Sequence, residues 1–210
     1  MIGSPIPVGP YPFGLAITPD DSKVYVANTT AGNPGDVGTV SVISTATDKV
    51  IGEPITVGSR PVGVAITPDG SKVYVTHVGD NTVRVISTAT NTVIGSPITV
   101  GSYPIGVAVT PDGSKVYVAN HYANTVSVIS TATDKVIGSP IPVGTLPTAF
   151  GLFIQPAKKF AGTPGRPNCH GKSVSALAVK YDDGIKGAAE SLGYPSVAAL
   201  QDAITTFCGG

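Results

Sequence analysis

The sequence predicts a mainly β chain: a partial propeller of about three and a half four-stranded antiparallel blades, followed by a small α-helical module. Three observations carry that expectation. A segment recurs with a 43-residue period, each recurrence holds four strand-like stretches, and the composition turns Ala-rich after Pro156.

The period comes first. Gly58-Ser-Arg-Pro-Val-Gly-Val-Ala-Ile-Thr-Pro-Asp-Gly-Ser-Lys-Val-Tyr-Val returns 43 residues later from Gly101 as Gly-Ser-Tyr-Pro-Ile-Gly-Val-Ala-Val-Thr-Pro-Asp-Gly-Ser-Lys-Val-Tyr-Val. An earlier copy opens at Gly9, and its six extra residues fall between Thr29 and Gly38, a Gly- and Asn-rich lengthened loop. A fourth copy opens at Gly144 and stops at Pro156, supplying one strand, Phe150 to Ile154. At the other end Ile2 to Gly9 duplicates Ile137 to Gly144, the last strand of a blade. Met1 therefore stands inside a repeat, and an N-terminal truncation is expected.

Within each period, β-branched residues alternate with small or polar ones, as half-buried strands require. In the third period the predicted strands are Ile105 to Thr110, Lys115 to Asn120, Thr125 to Ser130 and Lys135 to Val143. The first two are joined by Thr-Pro-Asp-Gly-Ser, in which Pro111 fixes φ and Gly113 can take φ > 0, so a tight hairpin is expected. The blades are read as 10–58, 59–101 and 102–144, with single strands on either side, and the repeat region as 1–156. An open arc of blades would leave Val- and Ile-lined faces in water. The expected resolution is a longer propeller supplying the missing blades, or a homodimer.

Residues 157–168 read as a Pro/Gly linker and 169–210 as a helical module. Val174, Leu177, Ala178 and Tyr181 share one helix face, as do Val197, Leu200, Ile204 and Phe207, with Ser196 placed to cap the last helix. A shorter helix is expected over Ile185 to Leu192. The two cysteines, Cys169 and Cys208, flank this module. Paired, they would close a loop of about 40 residues and contribute roughly 3–4 kcal/mol. Unpaired, they would be buried thiols of a cytosolic chain.

The repeat resembles the bacterial and archaeal YVTN family β-propeller repeat over about residues 1–156. Its forms here are Tyr25-Val-Ala-Asn28, Tyr74-Val-Thr-His77 and Tyr117-Val-Ala-Asn120, each between a Pro-Asp turn and a Val-rich strand. The segment from Cys169-His-Gly-Lys to Phe207-Cys-Gly-Gly210 resembles C-terminal tails of exported bacterial proteins. These resemblances imply a periplasmic, cell-surface or secreted location, although the N-terminus carries no signal-peptide pattern, and they imply no particular reaction.

Composition narrows the partners. With 13 basic and 13 acidic side chains the net charge is zero, and no long run of either sign offers a footprint for nucleic acid or anionic lipid. No apolar stretch reaches the roughly 20 residues of a membrane span. The three histidines show no chelating spacing and no Gly-x-Ser-x-Gly elbow occurs, so the residues imply no metal, cofactor or catalytic constellation. The repeated Asp20, Asp69 and Asp112 read as turn residues rather than calcium ligands.

A residue copied into every blade serves the blade, whereas a ligand is read where equivalent slots differ. Before the Pro of each Gly-x-x-Pro turn stand Tyr11, Arg60, Tyr103 and Leu146. After the second strand stand Asn28, His77, Asn120, His121 and Tyr122. In a propeller both loop types emerge on one face. The candidate binding residues are therefore Tyr11, Arg60, Tyr103, His77, His121 and Tyr122, an aromatic and basic rim of a kind enriched at interfaces; ordinary surface variation would produce the same pattern. The function expected is a noncatalytic binding or scaffolding module for protein or glycan. The alternatives are a propeller enzyme of lactonase or quinone-dependent dehydrogenase type, since propellers host both, and, more weakly, nucleic-acid binding.

Overall fold

The computed structural model describes residues 4–30, 36–148 and 196–208. The chain divides into two compact units, Met1–Pro156 and Ala157–Gly210.

In the first unit each repeat folds into one antiparallel sheet. Blade 1 comprises β1 (Pro12–Ile17), β2 (Lys23–Asn28), β3 (Thr39–Ser44), β4 (Lys49–Val50) and β5 (Ile55–Thr56); blade 2 comprises β6 (Pro61–Ile66), β7 (Lys72–His77), β8 (Thr82–Ser87) and β9 (Thr92–Thr99). Blade 3 repeats blade 1 with β10 (Pro104–Val109), β11 (Lys115–Asn120), β12 (Thr125–Ser130), β13 (Lys135–Val136) and β14 (Ile141–Pro142). In each, the first three strands pair antiparallel as neighbours in sequence, for example Tyr117 with Val128 and Val118 with Ser127.

The fourth strand, expected unbroken over Lys135 to Val143, is instead two short pieces in blades 1 and 3, both paired with the third strand. In blade 2 it is continuous, with a register shift. The cause is a glycine in left-handed backbone at the same place each time, Gly52, Gly95 and Gly138, with φ of 68°, 67° and 68°. Such a residue drops out of the ladder as a bulge. The leading strand expected over Ile2 to Val8 is also corrected: residues 4–8 form no strand. A strand needs a neighbour to bond, and Pro5 and Pro7 have no N–H to offer one. The expected strand Phe150 to Ile154 lies outside the described residues.

The Thr-Pro-Asp hairpins close through side chains. Asp112 accepts hydrogen bonds from the Thr110 hydroxyl at 2.5 Å and from the Ser114 N–H and hydroxyl at 2.9 Å, and Asp69 repeats the pattern with Thr67 and Ser71. The threonine hydroxyl, foremost among these donors, holds Asp20 and Asp112 at about 2, well below the usual carboxylate value, and Asp69 is lowered likewise. The acidic residue of each hairpin is thus used by its own turn.

The core lies between blades. Tyr25, Val40 and Val42 of blade 1 pack on Val73, Val75 and Ile86 of blade 2, and Tyr74, Val83 and Val85 pack on Val116, Val118 and Ile129 of blade 3. Alternation puts Tyr25 on one face of β2 and Val24 and Val26 on the other, so each blade has a tyrosine face and a valine face. The first strands of successive blades lie so close that a Cβ on Gly14 would stand 2.1 Å from the Val62 carbonyl oxygen, and one on Gly63 2.3 Å from that of Ile105. Polar clamps lock the outer ends. The Lys23 ammonium donates to the Thr88 carbonyl at 2.8 Å and the Tyr25 hydroxyl to Asn91 Oδ1 at 2.6 Å. Lys72 and Tyr74 hold Thr131 and Asp134 in the same way. Burial, with Asp20 nearby, pushes the Tyr25 hydroxyl up to about 12; burial and then the Asp134 bond raise Tyr74 further.

In the second unit the described residues form one helix, α1 (Val197–Cys208). Ser196 caps it as expected, its hydroxyl accepting from the Ala199 N–H at 3.1 Å, and Leu200 and Ile204, one turn apart, are buried. The two other expected helices and the Cys169–Cys208 pairing fall outside the residues and side chains described. No described helix is long and apolar enough to cross a membrane.

Candidate binding face at the blade loops

Four of the six candidate residues converge. The Arg60 Nη2 donates to the Tyr103 hydroxyl at 3.2 Å, and its guanidinium carbon lies 5.7 Å from the Tyr103 ring centre. On Tyr103 rests Tyr122, with ring centres 4.4 Å apart and planes 33° apart; His121 stands 5.0 Å from Tyr122 and 5.9 Å from Tyr103. Arg60 comes from the turn before β6, Tyr103 from the turn before β10, and His121 and Tyr122 from the loop after β11. One patch therefore joins loops of two blades.

Backbone bonds fix these loops. The His121 N–H donates to the Tyr103 carbonyl at 3.0 Å and the Tyr122 N–H to that of Ser102 at 3.2 Å, tying the two loops of blade 3 together. The Tyr103 N–H donates to Asn81 Oδ1 at 2.8 Å, which ties the turn to blade 2. His121 Nδ1 lies 3.3 Å from the Pro147 carbonyl oxygen. A carbonyl only accepts, so this contact selects the tautomer that carries its proton on Nδ1 and leaves Nε2 as an acceptor.

The residue before each Pro stands in left-handed backbone: Tyr11 at φ 47°, Arg60 at 54°, Tyr103 at 57° and Leu146 at 52°. That region disfavours any residue with a Cβ by about 1 kcal/mol or more, and glycine or asparagine would relieve it. Bulky side chains here are thus held against a local cost. Tyr11 is 62% exposed but makes no ring contact among the described residues, so it stands apart from the patch. Tyr122 is 60% exposed and offers its outer ring surface to solvent. Beside the patch, Phe13, Thr29, Arg60, Val62, Tyr103 and Ile105 line a cleft of about 140 Å³. That is well below the roughly 300 Å³ at which whole small ligands begin to be enclosed.

His77 is a correction: it has no exposed surface and takes no part in the rim. Both faces of β7 are covered, Val73 to His77 being buried without a break, so the last residue of this strand is enclosed. Asn28 and Asn120, at the same slot, are buried too. There they act as pins: Asn120 donates to the Thr125 and Ser127 hydroxyls at 3.0 and 2.9 Å and accepts from the Gly101 N–H at 3.1 Å. In blade 2 the trio becomes His77, Thr82 and Arg84, and both imidazole nitrogens, the Thr82 hydroxyl and the Arg84 Nε have no hydrogen-bond partner among the described residues. Burial lowers the His77 imidazole to about 4. Among the described residues no three His, Cys, Asp or Glu side chains are grouped to hold a metal ion. Sequence reasoning missed the structural role of the Asn slot, although its recurrence in two repeats was a visible signal.

The family model described as lactonase, 7-bladed beta-propeller, matches residues 23–148, more than half of the chain. Among solved structures the chain is similar to Kuenenia stuttgartiensis hydrazine synthase, at 28% identity and TM-score 0.55, over 68% of this chain and 40% of that one. It is similar in fold to a functionally unknown protein from Desulfotomaculum acetoxidans, at 24% identity and TM-score 0.56, over 65% of this chain and 44% of that one. The RRP9 WD40 repeats share the fold at 14% identity and TM-score 0.54, over 65% and 40%. The chain spans less than half the length of each of these structures. No curated protein matches it.

Proposed function

The chain belongs to the lactonase family of seven-bladed β-propellers, and within that family we propose that it acts as a noncatalytic binding module whose loop face engages a protein or glycan. The observation that carries this reading is the Arg60–Tyr103–Tyr122–His121 stack. The exposed Tyr122 ring and the half-buried Tyr103 and His121 rings, fixed by backbone bonds, offer an aromatic surface at low conformational cost, and Arg60 adds donors at its edge. The adjoining cleft takes a side group rather than a whole small molecule, which suits recognition of a larger partner by its surface. The YVTN-type repeat and the tail resemblance support an exported or envelope setting. Titration of immobilised glycans and of envelope protein fractions against the parent and Tyr122→Ala tests the reading. Binding that Tyr122→Ala weakens tenfold or more supports it; equal binding by both overturns it.

Family membership favours a second reading, lactone hydrolysis, on the same patch. Water adds to the lactone carbonyl and the ring C–O bond breaks to give a carboxylate and a hydroxyl. His121 Nε2 would take the proton of the attacking water and Arg60 would steady the oxyanion. Turnover of a panel of γ- and δ-lactones that His121→Gln abolishes while ligand binding persists would establish this activity in place of the noncatalytic role.

A further inference from the structure

We propose that the cleft beside the aromatic stack receives one aromatic side chain of a protein partner, while an aspartate or glutamate next to it in the partner's chain is held at the mouth by Arg60 and Tyr103. The inference rests on the binding reading above and narrows it, from protein or glycan to an acidic aromatic segment of a protein. Size and lining come first. The cleft is about 140 Å³, and its apolar walls are Phe13, Val62 and Ile105, from the first strands of three consecutive blades, with Val78 from the loop after β7. Val62 and Val78 are buried, whereas Phe13 is exposed and shows ring surface to solvent. A cavity of roughly 150 Å³ with aliphatic and aromatic walls holds one benzene-sized molecule. A phenyl or phenol ring therefore suits the cleft, and a sugar ring does not. A sugar carries hydroxyls on most of its carbons, and each one buried against valine or isoleucine without a partner weakens binding.

The mouth supplies the charge. Arg60 Nη2 donates to the Tyr103 hydroxyl at 3.2 Å, and a hydroxyl that accepts there keeps its own proton to donate elsewhere. Arg60 has further N–H groups, and it forms no ion pair with a carboxylate among the described residues. A cationic fork beside an O–H donor matches a carboxylate, which only accepts. Both residues line the cleft, so ring and carboxylate come from neighbouring residues of the partner. The two donors are held in place by their turns. The Tyr103 N–H donates to Asn81 Oδ1 at 2.8 Å, and the Arg60 carbonyl accepts from the Val78 N–H at 3.1 Å.

Fluorescence anisotropy of a labelled peptide containing Phe-Asp, titrated with the 210-residue chain, tests the assignment. The parent should bind it, and changing the peptide's Phe to Ala or its Asp to Asn should each weaken binding by about tenfold or more. Tyr103→Phe should erase most of the preference for Asp over Asn and keep that for Phe over Ala. Thr29→Phe and Ile105→Phe, two independent ways of filling the cleft, should do the reverse, with circular dichroism checking that each still folds. Binding that ignores the Phe or the Asp, or that a folded filling variant leaves undiminished, overturns the proposal. So does a parent that fails to bind the peptide at up to about 1 mM. Tyr122→Ala judges the patch separately. Glycan binding, or binding of a protein without such a segment, that Tyr122→Ala weakens would leave the binding reading in place and overturn the assignment of the cleft.

Discussion

Replacing Gly63 by alanine should loosen blade 2 from blade 3 and disturb the binding face at a distance. The added Cβ would sit 2.3 Å from the Ile105 carbonyl oxygen, 2.9 Å from the Thr76 hydroxyl and 3.1 Å from Val107 Cγ1. The nearest obstacle is backbone, so relief requires β6 and β10 to part by about 1 Å, a gap that forfeits a quarter to a half of each dispersion contact across it. The Thr76 hydroxyl also bridges the two strands, accepting from the Gly63 N–H at 2.9 Å and donating to the Ile105 carbonyl at 3.1 Å. Overpacking costs about 1–3 kcal/mol and two strained hydrogen bonds about 1 kcal/mol each. Stiffening of the unfolded chain returns about 0.4–1 kcal/mol. The net loss is about 2–4 kcal/mol, which lowers the Tm by roughly 5–15 °C for a chain of this size. Thermal unfolding followed by circular dichroism measures it, with Gly144→Ala as the control, since nothing lies within 4 Å of that added Cβ. Arg60 and Tyr103 stand just before the two strands that part, so ligand affinity should fall with stability. A Gly63→Ala chain that melts with the parent would refute the close packing of the inner strands.

Tyr103→Gly removes a ring held at φ 57°, so its Tm should stay within about 2 °C of the parent while ligand affinity falls tenfold or more; parallel melting and binding titrations check the separation. His77→Asn supplies an amide to the unpartnered Thr82 hydroxyl and should raise the Tm by about 2–6 °C, from about 1–2 kcal/mol of recovered hydrogen bonding. His77 is depressed to about 4 in the folded chain, below its unfolded value. Its contribution is therefore complete above about pH 6.5 and is lost as pH falls through 4, and His77→Asn should flatten the stability profile across that window. Asp112 is likewise depressed, to about 2, so the contribution of its turn is present above about pH 4 and lost as pH falls toward 2. Asp112→Asn should be less stable than the parent at neutral pH and show a smaller decline over that acid range in pH-dependent denaturation.

The blades were legible because period, alternation and turn chemistry agree. Lys115 to Asn120 and Thr125 to Ser130 are strands with the bounds the alternation predicts. The break in the fourth strand was less visible, since Gly138 reads equally as a small residue within a strand or as a bulge, and only the partner's register decides between them. The rim was legible in part. Variation among equivalent slots identified Arg60, Tyr103, His121 and Tyr122, but it also selected His77, because variation does not reveal which face of a strand a residue takes. What decides is enclosure: His77 ends β7, whose residues from Val73 on are buried on both faces because blades 1 and 3 cover blade 2.

The left-handed turn residues connect stability to the binding reading. The sequence sets Asn81, Asn91 and Asn124 at other left-handed positions, where asparagine is the inexpensive choice and its side-chain oxygen accepts from the Tyr103 N–H, the Tyr25 hydroxyl and the Leu146 N–H respectively. At the Gly-x-x-Pro slot it instead places Tyr11, Arg60, Tyr103 and Leu146 at φ between 47° and 57°. Folding of the turn does not require these side chains, because the carbonyl of Arg60 accepts from the Val78 N–H and that of Tyr103 from the His121 N–H whatever side chain is present. Left-handed backbone turns the Cβ away from the direction it takes in a strand. In blades 2 and 3 it delivers Arg60 and Tyr103 to each other across the blade boundary, where a glycine would leave only backbone. Strain that recurs at one slot with a different large side chain each time is the pattern expected of a position kept for what it presents to a partner.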